Sequence, residues 1–148
     1  MKTDQTAEIL AHLTFNLLSK CQEQESWAAE QHGLFPSEFK CLRLLGYDES
    51  LNNKEIAKRM NLSPSRLTRI IDGLVKKGYM TREINIEDRR NMNLKVLKRG
   101  KLLTNKLDKS YVDIHREILE DIDPSQHAAL LSAMEDLHFA IEKWLQKK

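Results

Sequence analysis

The 148-residue chain is predicted to be mostly α, an α-helical fold with one small β-hairpin, and three observations carry that expectation. Apolar residues recur at steps of three and four through most of its length, the period of a helix with one buried face. Between Gly78 and Val96 the period drops to two, as on strands whose side chains alternate between faces. With 5 Gly and 3 Pro in the chain, there is little material for long loops.

Ile9, Leu10, Leu13, Leu17, Leu18 and Cys21 form the first apolar stripe, so a helix is expected to run to about Glu30 and end at His32-Gly33. A second starts at Phe35-Pro36-Ser37, with proline in the first turn, where its missing N–H is harmless, and turns Phe39, Leu42, Leu44 and Leu45 to a core. Gly46 is expected to punctuate the chain there, and Leu51 to make a single strand-like contact.

Asn52 followed by Glu55 fits a capping box, in which Asn52 accepts from a backbone amide and Glu55 reaches back, so a helix should span about Asn53 to Met60. Ala57 on its inner side lets another helix cross closely. Asn61 falls where a tight turn needs a left-handed residue, which Asn tolerates. Ser63-Pro64 then gives an N-cap and a first-position proline. In the helix that follows, Leu67, Ile70, Ile71 and Leu74 occupy one buried stripe, leaving Ser65, Arg69, Asp72 and Lys76 on the opposite face and Arg66 and Thr68 on its margins.

Met80, Arg82 and Ile84 alternate with Tyr79, Thr81 and Glu83, and Met92, Leu94 and Val96 are expected to turn inward from a second, antiparallel strand. The connection, Asn85 to Arg90, is long enough to reach away from the body as a wing. From Lys98 the helical period returns in Leu102, Leu103, Leu107, Tyr111, Ile114 and Ile118. Asp123-Pro124 starts a last helix carrying Leu130, Leu131, Met134, Leu137, Ile141, Trp144 and Leu145.

Two short helices, a tight turn and a hairpin make a winged helix-turn-helix over residues 34–100. The helices at 1–33 and 101–148 carry more apolar surface than a domain of that size can cover, and are expected to form a dimerisation region. Charge is divided along the same lines. Residues 54–106 hold 15 Lys/Arg against 5 Asp/Glu, whereas residues 1–53 and 107–148 are each net acidic. A basic block between acidic flanks points to a polyanionic partner more clearly than the chain total of +2 does.

The helix beginning at Pro64 has the makings of a recognition helix. Arginine can donate two hydrogen bonds to a guanine edge in the major groove, and Ser, Thr or Lys can contact bases or phosphates. The free amides of its first turn, at Ser65 and Arg66, can hold a phosphate. The expected DNA-facing set is therefore Ser63, Ser65, Arg66, Thr68, Arg69 and Lys76, joined by Arg89 and Arg90 at the wing tip, where arginine can enter a narrow minor groove. Asp88 is expected to brace one of those arginines.

The run from Leu62 to Tyr79, Leu-Ser-Pro-Ser-Arg-Leu-Thr-Arg-Ile-Ile-Asp-Gly-Leu-Val-Lys-Lys-Gly-Tyr, with Arg82 and Asp88-Arg89-Arg90, resembles the MarR family of bacterial transcriptional regulators. The order of long helix, winged helix-turn-helix and two long helices is similar too, so 1–148 reads as a single MarR-like domain. The resemblance implies that Ser65, Thr68 and Arg69 enter the major groove, that Arg90 is the minor-groove arginine, and that the terminal helices intertwine two subunits as a homodimer. It further implies a repressor on a pseudo-palindromic double-stranded DNA operator, its affinity modulated by a small ligand or an oxidant. Two positions depart from the pattern. Leu97 stands where a threonine would cap the next helix, and Ile86 where proline is common in the wing.

For the signal, two readings of each candidate stay open. Cys21 is either a redox switch, as in some relatives, or a continuation of the apolar stripe; Cys41 reads as packing. Trp27, His32, Phe35 and Tyr111 either line an aromatic ligand pocket or belong to the core. The five histidines are dispersed, with no His-x-x-x-His or Cys-x-x-Cys pair, so no metal site and no cofactor are expected. No nucleophile elbow, phosphate-binding glycine loop or His-Glu-x-x-His pair is present, so no enzymatic activity is expected either. With no long apolar run, the protein is expected to be cytoplasmic and free of membrane. The rival reading is a winged-helix module for a protein or RNA partner, which would not need the polar, basic recognition face.

Overall fold

The computed structural model describes residues 2–47, 52–84, 86–87 and 92–148. In chain order its elements are α1 (Thr3–Gln31), α2 (Pro36–Tyr47), α3 (Asn53–Met60), α4 (Pro64–Lys76), β1 (Met80–Ile84), β2 (Met92–Val96), α5 (Lys98–Glu120), a 3-10 turn (Pro124–Gln126) and α6 (His127–Gln146). The chain divides into two compact units, Met1–Asp108 and Lys109–Lys148.

In the first unit α2, α3 and α4 pack on one another, and the hairpin docks on them through β1 against α4 and β2 against α2 and α3. The core is built from Phe39, Leu42 and Leu45 of α2, Ile56 and Ala57 of α3, Leu67, Ile71 and Leu74 of α4, and Met80, Leu94 and Val96 of the strands. The hairpin is antiparallel, in a register that pairs Met80 with Val96, Arg82 with Leu94 and Ile84 with Met92. The strand-like contact expected of Leu51 falls on a residue outside the described ones; its neighbour Asn52 makes an isolated bridge to Asn93. Gly46 does not end α2, which runs through it to Tyr47.

The stripe expected on α5 is shifted at its start. Leu102 is 55% exposed, and the buried positions are Gly100, Thr104 and Leu107. Small residues, not the nearest leucine, set the seam, because α5 leaves the hairpin at very close range. A Cβ on Gly100 would meet the Tyr79 carbonyl oxygen and stand 2.6 Å from Val96 Cγ1. Leu97, unable to cap α5 with its side chain, holds the junction by its backbone: its N–H donates to the Tyr79 carbonyl at 2.9 Å, and its own carbonyl accepts from the Lys101 amide at 2.9 Å.

In the second unit, the helix expected directly after Asp123-Pro124 begins instead as the 3-10 turn, with α6 starting at His127. Asp123 Oδ1 accepts from the Ser125 amide at 2.9 Å and the Ser125 hydroxyl at 2.8 Å, and the amide bond first, then the hydroxyl, lowers the pKa of this carboxyl. None of the residues of α6 is buried, and on α1 only Ala28 and Ala29 are. No described helix is long and apolar enough to cross a membrane.

Because the atoms facing Gly100 include backbone, Gly100→Ala is expected to lower the stability of the chain by about 1–3 kcal/mol. A urea unfolding curve measures this; an unchanged midpoint would show that the seam has room.

Candidate nucleic-acid interface

Local chemistry sets the turn between α3 and α4. Asn52 Oδ1 caps α3 by accepting from the Glu55 amide at 3.0 Å. The Glu55 carboxylate answers on the Asn52 side-chain amide, at 3.5 Å. At the far end Asn61 adopts φ 53° and ψ 49°, the left-handed turn anticipated from its identity, and the Leu62 amide returns to the Ala57 carbonyl at 2.9 Å. Ser63 Oγ then accepts from the Arg66 amide at 3.3 Å, and Pro64 opens α4.

On α4 the apolar stripe is buried through Leu67, Ile71 and Leu74, with Ile70 half-buried at its edge. Ser65, Arg66, Thr68, Arg69, Asp72 and Lys76 are exposed as one polar face. The Thr68 hydroxyl donates back to the Pro64 carbonyl at 2.9 Å, and the Ser65 hydroxyl lies 3.4 Å from that of Ser63. Burying three large apolar side chains contributes on the order of 5 kcal/mol to holding the helix in place. Its polar face is thereby presented without needing to hold itself in place.

The hairpin is tied to both helices. Arg82 Nη1 on β1 donates to Asp72 Oδ1 on α4. The Met92 amide at the start of β2 donates to Asn53 Oδ1 on α3, at 3.2 Å. Asp88, Arg89 and Arg90, expected at the wing tip, lie outside the described residues, while Ile86 beside them is 95% exposed.

A third tie joins α2 to the end of α4, and sequence reasoning missed it. Glu38 is buried, and its Oε1 accepts from the Phe35 amide at 2.9 Å and from Lys77 Nζ at 2.6 Å. Lys77 Nζ also donates to the Gly33 carbonyl at 3.2 Å and lies 4.9 Å from the centre of the Phe35 ring. A Cβ on Gly73 would stand 2.5 Å from Glu38 Oε2, so a residue without a side chain admits the carboxylate. The available signal was Glu38 three residues after Phe35, a capping-box spacing.

Four residues are expected around a ligand. Trp27 and Phe35 are 55% and 67% exposed, and His32 is half-buried. A cavity of about 370 Å³ beside Phe35 is lined by Ser26, Glu30, Gly33, Leu34, Phe35, Pro36 and Lys77, and so takes in Phe35 of the four. Tyr111 belongs to the second unit, where its ring packs on His115 with centroids 4.6 Å apart.

A polar helix face held out by a buried stripe, preceded by a capped turn and followed by a braced hairpin, defines a winged helix-turn-helix protein. Comparison with known proteins takes this further. A profile of the MarR family matches residues 34–92. The HTH-type transcriptional repressor YetL of Bacillus subtilis is 35% identical over 71 residues, which is 47% of this chain and 42% of YetL. The chain spans about half the length of the first curated relatives it matches. A MarR family protein from Bacillus stearothermophilus shares the fold with a TM-score of 0.84 at 15% identity, covering 96% of this chain and 99% of that one. Streptococcus pneumoniae FabT, solved in complex with DNA, shares it with a TM-score of 0.68 at 17% identity, covering 97% and 99%. Over residues 34–92 the chain is thus similar to the MarR family.

The two cysteines differ in kind. Cys21 is exposed on α1, and Cys41 is buried in α2, where burial first, and the nearby Glu38 charge second, push its thiol up to about 12. A disulfide-exchange reagent at pH 8 is therefore expected to titrate one thiol per native chain, Cys21, and the second only after unfolding. Above pH 9, where a cysteine in the unfolded chain ionises and the buried one does not, stability should fall. Rapid reaction of both thiols in the native protein would contradict the burial of Cys41.

Proposed function

We propose that the protein is a sequence-specific, double-stranded DNA-binding transcriptional regulator that acts as a homodimer on a pseudo-palindromic site, with α4 in the major groove and the hairpin towards the flanking minor groove. One observation carries this reading: α4 buries Leu67, Ile71 and Leu74 and leaves Ser65, Arg66, Thr68, Arg69 and Lys76 exposed together. That face lies in the strongly basic segment, and similarity to the MarR family over residues 34–92 supports joining it to a fold seen with DNA bound in FabT. Arg69 is assigned the base contact, by bidentate donation to a guanine edge. Ser63, Ser65 and the Ser65 amide are assigned to phosphate, the Arg66 amide expected beside it being taken by Ser63 Oγ, and Arg89 and Arg90 to the minor groove.

The homodimer is supported by what the single chain leaves uncovered. Ile9, Leu10, Leu13, Leu17 and Leu18 on α1 are 44–60% exposed, and on α6 Leu131, Phe139, Trp144 and Leu145 are 57–66% exposed. Apolar stripes of that extent are rare on monomers, and on two helices flanking a DNA-binding lobe a second copy would cover them. Repression follows the name of the relative YetL. Modulation by a small ligand or by oxidation of Cys21 belongs to the same proposal: either would change the spacing of two recognition helices and hence affinity.

The test uses the purified chain and duplex fragments selected by it from the source genome. Binding should fall with salt, with a slope of about 0.9 per phosphate neutralised, and sedimentation at micromolar concentration should give a dimer. Arg69→Ala should weaken binding and relax preference at one base pair, a discrimination of about 1–3 kcal/mol. A monomer, or salt-insensitive binding, would sink the reading; equal losses on all sequences would sink the role of Arg69.

A further inference from the structure

We propose that Asp72, an acidic residue on the face assigned to DNA, strengthens DNA binding by acting as the positioning residue of the wing. The proposal rests on the DNA-binding reading above. Charge alone says the opposite, since an exposed carboxylate in a basic surface repels a polyanion. The Asp72 side chain is 53% exposed and stands three residues after Arg69 and four before Lys76 on α4.

The geometry gives this carboxylate another task. Its Oδ1 accepts from Arg82 Nη1 on β1, and the Arg82 side chain is 30% exposed, drawn onto α4 rather than extended into solvent. Register shows why the position matters. At the base of the hairpin Met80 pairs with Val96, and both are buried, so apolar packing holds that end. Arg82 is the next residue on the same face of β1, paired with Leu94. One step further towards the tip, Met92 is held by Asn53 of α3 at 3.2 Å. The ion pair therefore continues, in polar form, the seam that the apolar residues begin, and the hairpin is gripped by one helix on each strand.

A two-stranded hairpin is marginal by itself, and a wing left to find its angle would lose that freedom on binding DNA. Fixing it beforehand moves the entropy loss from association to folding, which raises affinity. The pair also withholds Arg82 from DNA, so its net effect on the charge presented is near zero.

The experiment compares affinities of the full chain for a duplex fragment that the wild-type protein binds. Asp72→Asn removes one negative charge from the protein, yet is expected to weaken binding about three- to fivefold, the range a well-placed surface ion pair supplies. Its salt dependence should become shallower, as fewer phosphates are engaged at once. Exchanging the charges, Asp72→Arg with Arg82→Asp, keeps the net charge of the wild type and should recover most of the affinity and the slope. Thermal melts confirm that each variant is folded at the assay temperature. Asp72→Asn binding as tightly as wild type or more tightly, or the exchanged pair remaining as weak as Asp72→Asn, would overturn the proposal while leaving DNA binding intact. Wild-type protein that binds no duplex would instead overturn the functional reading on which it rests.

Discussion

Burial of one face of α4 is the constraint on which the rest depends. A helix can offer its polar side chains to a groove only if something else fixes its rotation and tilt. Here Leu67, Ile71 and Leu74 do so, against a core supplied by α2, α3 and the hairpin. Rotating the helix by one residue, about 100°, would swing these side chains out and Arg69 in. The same burial that stabilises the fold therefore selects which residues are offered.

Around that core the polar ties are placed where apolar packing runs out. Glu38 and Lys77 fasten the end of α4 to the start of α2, Asp72 and Arg82 fasten it to β1, and Asn53 fastens α3 to β2. They differ in energetic character. The Glu38 carboxylate is buried, and losing Lys77 would strand a charge in a poor solvent, which is strongly destabilising. The Asp72 pair is exposed to water and is worth little to global stability. Its value is orientation, so its loss should register in binding rather than in unfolding.

How much of this was legible depends on whether an interaction is periodic. The stripe on α4, the left-handed Asn61, the Ser63 cap and the two strands follow from side-chain period and local backbone chemistry, and they stand where the sequence placed them. The ties do not: Glu38 and Lys77 are 39 residues apart and Asp72 and Arg82 are 10 apart, distances that mark no pattern. In the sequence Asp72 is one more residue of the exposed face, and nothing there marks Arg82 as its partner. At α5 periodicity misled, because Gly100 and Thr104 set a close seam that a search for large apolar residues passes over. The brace expected of Asp88 falls on residues outside the described ones.

A helix seated by its apolar stripe would read the major groove in two copies. Methylation interference tests it directly, because methylation at guanine N7 blocks the groove edge that α4 would contact. On a fragment bound by the full chain, interference is expected in two patches about one helical turn apart, related by the symmetry of the site. Interference at a single patch, or none at guanine N7 with binding intact, would contradict the account.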